Sequence, residues 1–141
     1  MKLKIKKLHQ EAVVPKYAKK HDAGMDLFAL EDHTASPGEV IFVKTGIAME
    51  IPEGYVGLVW DKSGFSTKTK MKTLGGVIDA GYRGDVTVCL INLCSEAHHI
   101  EKGMKVAQIL IQKVEQPEIE LVEELSESER GEGGFGSTGK K

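Results

Sequence analysis

Apolar and polar residues alternate along much of the chain with the two-residue period of a strand, and few stretches show helical spacing. KLKIKKL, near the start, alternates apolar and basic positions as a strand with one wet face would. DLFAL, VIFVKTGIAMEI, YVGLVW, DVTVCLINL and KVAQILIQKV follow, each bounded by turn-forming runs: SPGE, PEGY, GYRG and EKGM. This pattern predicts an all-β domain, a sandwich or jelly-roll rather than a βαβ fold. One short helix is expected near SGFSTKTKM. GGVIDAGYRGDVTV, with two strand-like pieces around a glycine-punctuated turn, predicts a hairpin. Beyond Pro117 the sequence turns acidic, then rich in glycine and serine, which predicts an arm that does not fold alone. The expected division is therefore a β domain over 1–116 and a C-terminal arm over 117–141.

The 141 residues suit one domain with a real core. A net charge of −2 advertises no broad basic face for nucleic acid. No apolar run approaches the roughly 18 residues of a membrane span, and MKLKIKKLHQ lacks the apolar segment of a secretory leader. Cys89 and Cys94 have neither CxxC spacing nor a matching histidine set, so buried reduced thiols are expected rather than zinc. Together these features predict a cytoplasmic, reducing location.

The chemistry-bearing residues sit between the strands. RGEGGFGSTGKK contains GxGxxG and nearly spells a Walker A loop. Neither motif has the strand before it and helix after it that phosphate cradling needs, and Lys141 replaces the Ser or Thr of Walker A. Composition alone favours a flexible solvated tail, yet the segment also has parts that could fold over a nucleotide. Its glycines let amides converge on an anion, Arg130 can fork onto phosphate, and Phe135 can stack on a base. Asp79, after an apolar triplet and close to Tyr82, could orient and deprotonate a water, or could be an Asx-turn residue. DKSGFS groups a cation, a hydroxyl and glycine, suiting either a phosphate or a solvated turn. Asp26 of AGMDL could face hydrated magnesium or end a strand, and Gln108 inside KVAQILI needs backbone or ligand partners.

In this order, AGMDL, DKSGFS, GGVIDAGYRGDV, GMKVAQILI and RGEGGFGSTG resemble the trimeric deoxyuridine triphosphatase (dUTPase) family across nearly the whole chain. The resemblance implies a distorted jelly-roll β-barrel, a homotrimer with active sites at subunit interfaces, and magnesium-dependent hydrolysis of dUTP to dUMP and pyrophosphate. Such an enzyme limits uracil in DNA and supplies the thymidylate precursor. By position, Asp79 resembles the residue that activates water for attack on the α-phosphorus, and Asp26 the acid that meets magnesium through water. Lys62, Ser63, Gly64 and Gln108 match phosphate-side positions. Tyr82 resembles the tyrosine that packs under deoxyribose and excludes a 2′-hydroxyl. The main chain of Gly76, Val77 and Ile78 matches the uracil-reading segment, and Arg130, Phe135, Gly136, Ser137 and Thr138 match the closing arm. Partners other than dUTP and the neighbouring subunits, such as nucleic acid or membrane, are not implied.

The second motif departs from the common pattern. Lys62 stands where arginine is usual, keeping charge but losing the planar fork, and Asp61 stands where proline is frequent. Phe65 and Ser66 replace a smaller Leu-Ala pair. A deoxycytidine triphosphate deaminase of the same fold would need a glutamate arrangement that nothing here resembles. A non-catalytic nucleotide binder is disfavoured by the intact Asp79, Tyr82 and arm.

Overall fold

A computed structural model describes residues 1–134. Eleven strands and one helix follow in the order β1 (Lys4–Lys7), β2 (Met25–Phe28), β3 (His33–Ala35), β4 (Val40–Val43), β5 (Ile47–Glu50), β6 (Tyr55–Trp60), α1 (Ser63–Thr69), β7 (Met71–Leu74), β8 (Val77–Ile78), β9 (Val88–Asn92), β10 (His98–Ile100) and β11 (Lys105–Lys113). All the pairings are antiparallel and form four sheets: β1-β5, β10-β3, β2-β11-β6-β8 and β4-β9-β7. Neighbours within a sheet are mostly distant in sequence, the interleaving expected of a jelly-roll.

The alternation fixes which faces meet. Ile41, Val43, Met71, Val88 and Leu90 point inward from one sheet, and Met25, Leu27, Val59, Ala107 and Ile109 from another; together they make one buried core. Asn92 is also buried. Its amide donates to the carbonyls of Ala35 (2.9 Å) and Glu96 (2.8 Å) and its oxygen accepts from Cys94 N, so this polar core residue is fully used. The single expected helix is α1, which buries Phe65 against the core.

Two expectations need correcting. VIFVKTGIAMEI is two strands, because a turn at Thr45–Gly46 sends β4 to β9 and β5 to β1. GGVIDAGYRGDVTV is not a paired hairpin: β8 joins the edge of β6, while β9 runs between β4 and β7. Its two arms enter different sheets because the return arm is fastened elsewhere, as described below. The cysteines are free but half-buried rather than buried, with Cys89 on the outer face of its sheet. No helix among the described residues is long and apolar enough to cross a membrane. From 114 to 134 no strand forms, and Ile119, Leu121 and Leu125 are exposed.

Candidate active site

Two groups of residues are assembled on and beside the four-stranded sheet. In the first, strand register puts Asp26, Gln108 and Trp60 side by side across β2, β11 and β6. Asp26 is only 2% exposed, yet it is charged. Lys62 Nζ lies 2.5 Å from its Oδ1 and Lys105 Nζ 2.8 Å from its Oδ2. Burial opposes ionisation here, but the Lys105 and Lys62 ammonium groups outweigh it and hold the carboxyl below the usual carboxylate range. The contact to Oδ2 is a charge contact without hydrogen-bond direction, so this buried oxygen keeps an unused lone pair.

Lys62 is free to make this pair because it stands just before α1 in extended backbone and does not cap the helix with its side chain. Asp61 beside it ties the junction down. Its Oδ1 accepts from Thr73 N (2.8 Å) and Thr73 Oγ1 (2.9 Å), and its Oδ2 pairs with Lys72 at 2.6 Å. Despite partial burial, the Lys72 ammonium and the two Thr73 donors keep this carboxyl below its ordinary range too. Gln108 completes the corner, donating from Nε2 to the Asp61 carbonyl at 2.9 Å. Gly24 of AGMDL packs on that glutamine so closely that a Cβ would sit 2.6 Å from Gln108 Oε1. Ser63 and Gly64 lie exposed, and the space above Gly64 is open.

The second group is the segment after β7. Gly76, at φ +107, accepts a hydrogen bond from Val59 N at 2.7 Å, and a Cβ there would meet Val59 O at 2.6 Å, so only glycine fits. Val77 and Ile78 then pair with Leu58 and Gly57. A turn closed by Tyr82 N donating to Asp79 O follows, leaving the Asp79 and Tyr82 side chains exposed. They border a cleft of about 230 Å³ lined by Val77, Ile78, Asp79, Tyr82, Asp85 and Thr87. A smaller cleft of about 160 Å³ on the far side of Gly76 reaches Trp60, Lys72 and Thr73. Arg83, near Tyr82 in sequence, folds back to donate to the carbonyls of Ala80 and Tyr82. A groove of about 300 Å³ between Lys4, Met49 and Arg83 contains none of the candidate residues above.

The structure thus brings together Asp26, Lys62 and Gln108, and separately Asp79, Tyr82, Val77 and Ile78. Arg130 lies in the arm, where its Nε donates to Gly133 O at 2.9 Å. Phe135, Gly136, Ser137 and Thr138 lie outside the described residues. Sequence reasoning missed Lys105, and it saw Asp61 only as a departure from pattern and Asp85 only as part of a motif. Among the described residues no group of three or more His, Cys, Asp or Glu is gathered to hold a metal.

Comparison with known proteins finds relatives along nearly the whole chain. A family model described as dUTPase matches residues 10–139. The deoxyuridine 5′-triphosphate nucleotidohydrolase of Nautilia profundicola is 50% identical over 142 residues, covering 99% of this chain and 100% of that protein. The one from Clostridium tetani is 47% identical over 140 residues, covering 98% and 97%. Among solved structures, the dUTPase of Staphylococcus bacteriophage 80alpha with dUpNHpp has a TM-score of 0.93 at 36% identity, covering 99% of each chain. A mutant dUTPase from phage phi11 of S. aureus, solved with a structural Mg(II) ion, has a TM-score of 0.85 at 31% identity, covering 90% of this chain and 100% of that one.

Proposed function

The chain belongs to the dUTPase family, and from that membership we propose that it hydrolyses dUTP to dUMP and pyrophosphate, with the residues described above in the following roles. The observation that carries the assignment of roles is the pairing of Asp79 and Tyr82 at the mouth of one cleft whose wall is the Val77–Ile78 backbone. Uracil is read by main-chain groups from Gly76 to Ile78, which can mimic a pairing partner. Tyr82 lies flat against deoxyribose. Asp79 takes a proton from the water that attacks the α-phosphorus, and pyrophosphate leaves. Because a triphosphate needs positioning and charge neutralisation more than covalent catalysis, Lys62, Ser63, Gly64 and Gln108 serve as its phosphate-side frame.

Magnesium fits the residues present in one manner. Asp26 faces two ammonium groups and keeps one unused lone pair on Oδ2, so it suits a water of the ion's shell rather than a direct bond. An ion held there would neutralise charge on the triphosphate. Asp26 is the one protein group proposed to hold it.

The assembly proposed is a homotrimer with sites shared between subunits. Its support is the outward apolar surface that adjoins the chemistry. Trp60 and Val77 are exposed on the sheet that carries Asp26 and Gln108, and Val40, Phe42 and Leu74 on the face of β4-β9-β7. The arm, 117–141, with Ile119, Leu121 and Leu125 exposed, is read as closing over a site, Arg130, Ser137 and Thr138 toward phosphate, Gly136 between them and Phe135 over uracil. Closure would exclude water and strengthen each charged contact.

Incubation with magnesium and dUTP, dCTP or UTP tests the reading. Pyrophosphate released from dUTP, with no ammonia from dCTP, is the expected result. Ammonia from dCTP would point to a deaminase, and tight dUTP binding without turnover to a non-catalytic binder.

A further inference from the structure

Asp85 has no part in the roles assigned above, yet it is the most heavily tethered carboxylate near the cleft. Its Oδ1 accepts from Thr45 N at 3.1 Å and its Oδ2 from Gly46 N at 2.9 Å, across about 40 residues of sequence. Its neighbour Val86 repeats the attachment: Val86 N donates to Ile47 O at 2.8 Å, and the buried Thr45 hydroxyl donates to Val86 O at 2.9 Å. The main-chain carbonyl of Asp85 then receives the Tyr82 hydroxyl at 3.0 Å. The Tyr82 ring is otherwise exposed on the turn and lies over Gly84, where a Cβ would come within 2.6 Å of its Cζ.

We propose that Asp85 is a positioning residue for sugar discrimination, bolting the return arm to the Thr45–Gly46 turn so that its carbonyl holds the Tyr82 ring at a fixed distance from the 2′ position of the bound nucleotide. The proposal rests on the dUTP reading above and deepens it. A ring that merely packs against the sugar can yield by a few tenths of an ångström when a hydroxyl is added. A ring tied at its far end to the core of the barrel cannot, because the tie runs through charge-assisted bonds to backbone amides of a buried turn. Discrimination against a ribonucleotide is a matter of such stiffness, since the extra atom is small.

The experiment compares kcat/KM for dUTP and UTP in the wild type, Tyr82→Phe, Asp85→Asn and the double variant. Tyr82→Phe keeps the ring and removes the tie without touching the fold. Asp85→Asn turns an amide NH2 toward a backbone N–H that needs an acceptor. Each is expected to lower the dUTP-to-UTP ratio by about tenfold, chiefly through better use of UTP. The double variant should be no worse than the poorer single one, because both cut the same tie. An unchanged ratio in Tyr82→Phe overturns the proposal. So does an additive double variant, or an Asp85→Asn protein that loses activity on both nucleotides in equal proportion. A wild type that discriminates, with variants that show none of these changes, defeats the tie alone, whereas a wild type that turns over no dUTP defeats the functional reading beneath it.

Discussion

Lys62 Nζ and the buried Asp26 carboxylate lie 2.5 Å apart, joining the loop before α1 to the middle of β2. The lysine that replaces the usual arginine therefore has a partner inside the protein, besides the phosphate-side place proposed for it. An arginine fork could hold carboxylate and phosphate together, whereas a single ammonium must divide itself between them.

Replacing Lys62 should separate these duties. Lys62→Met leaves Asp26 to Lys105 alone, so thermal stability should fall by several degrees and KM for dUTP should rise about tenfold, with a smaller effect on kcat. Lys62→Arg should recover both. Melting curves beside steady-state kinetics make the check; a Lys62→Met protein with unchanged KM would remove the lysine from the phosphate side.

Asp79→Asn should retain dUTP binding within a few fold and lose about 10²–10⁴ in kcat, the usual worth of a general base. Equilibrium dialysis reports the binding and pyrophosphate release the rate. Near-normal turnover would return Asp79 to the status of a turn residue.

Asp61 gives a stability prediction with a definite pH sign. Its folded pKa lies below the unfolded value, so its stabilisation is complete above about pH 3.9 and is lost as pH falls through the folded pKa. Asp61→Asn should cost about 1–3 kcal/mol at neutral pH, a drop of several degrees in Tm. The gap between wild type and variant should close below about pH 4. Tm measured from pH 7 to pH 3 tests this; a constant gap would show that the carboxylate charge plays no part.

Gly76→Ala should lower Tm by several degrees and raise KM for dUTP, since the new methyl collides with Val59 O in a backbone conformation that alanine resists. If KM stays normal while Tm falls, the Gly76–Ile78 backbone is not the uracil reader.

Truncation after Leu125 should leave the proposed trimer intact by light scattering while kcat/KM falls by about 10² or more, because the proposed lid and its phosphate donors are removed. Full activity in the truncated protein would free the arm of any catalytic duty.

Much of the site was legible because each motif is a short local run: Asp79 with Tyr82, Lys62 with Ser63, Gln108 inside its apolar strand. The long β runs were legible as well, through their two-residue period. Contacts across sequence were not. Strict alternation along β11 puts Lys105 and Gln108, three residues apart, on opposite faces. A bulge between Lys105 and Ala107 turns Lys105 to the Gln108 side, and alternation cannot foresee it. Nor could the span from Asp85 to Thr45 be read, and without it GGVIDAGYRGDVTV looked like a self-paired hairpin. Strands β3, β7 and β10, three or four residues each, gave too short a period to recognise.

Asp61 carries a consequence for how such sequences diverge. A proline at that position offers no carboxylate, so Thr73 N and its hydroxyl would lose an acceptor and Lys72 its counter-ion. Exchanging Asp61 for proline would therefore also strip partners from Lys72 and Thr73, more than ten residues downstream. A chimera spliced between Asp61 and Lys72 would inherit half of that set of contacts.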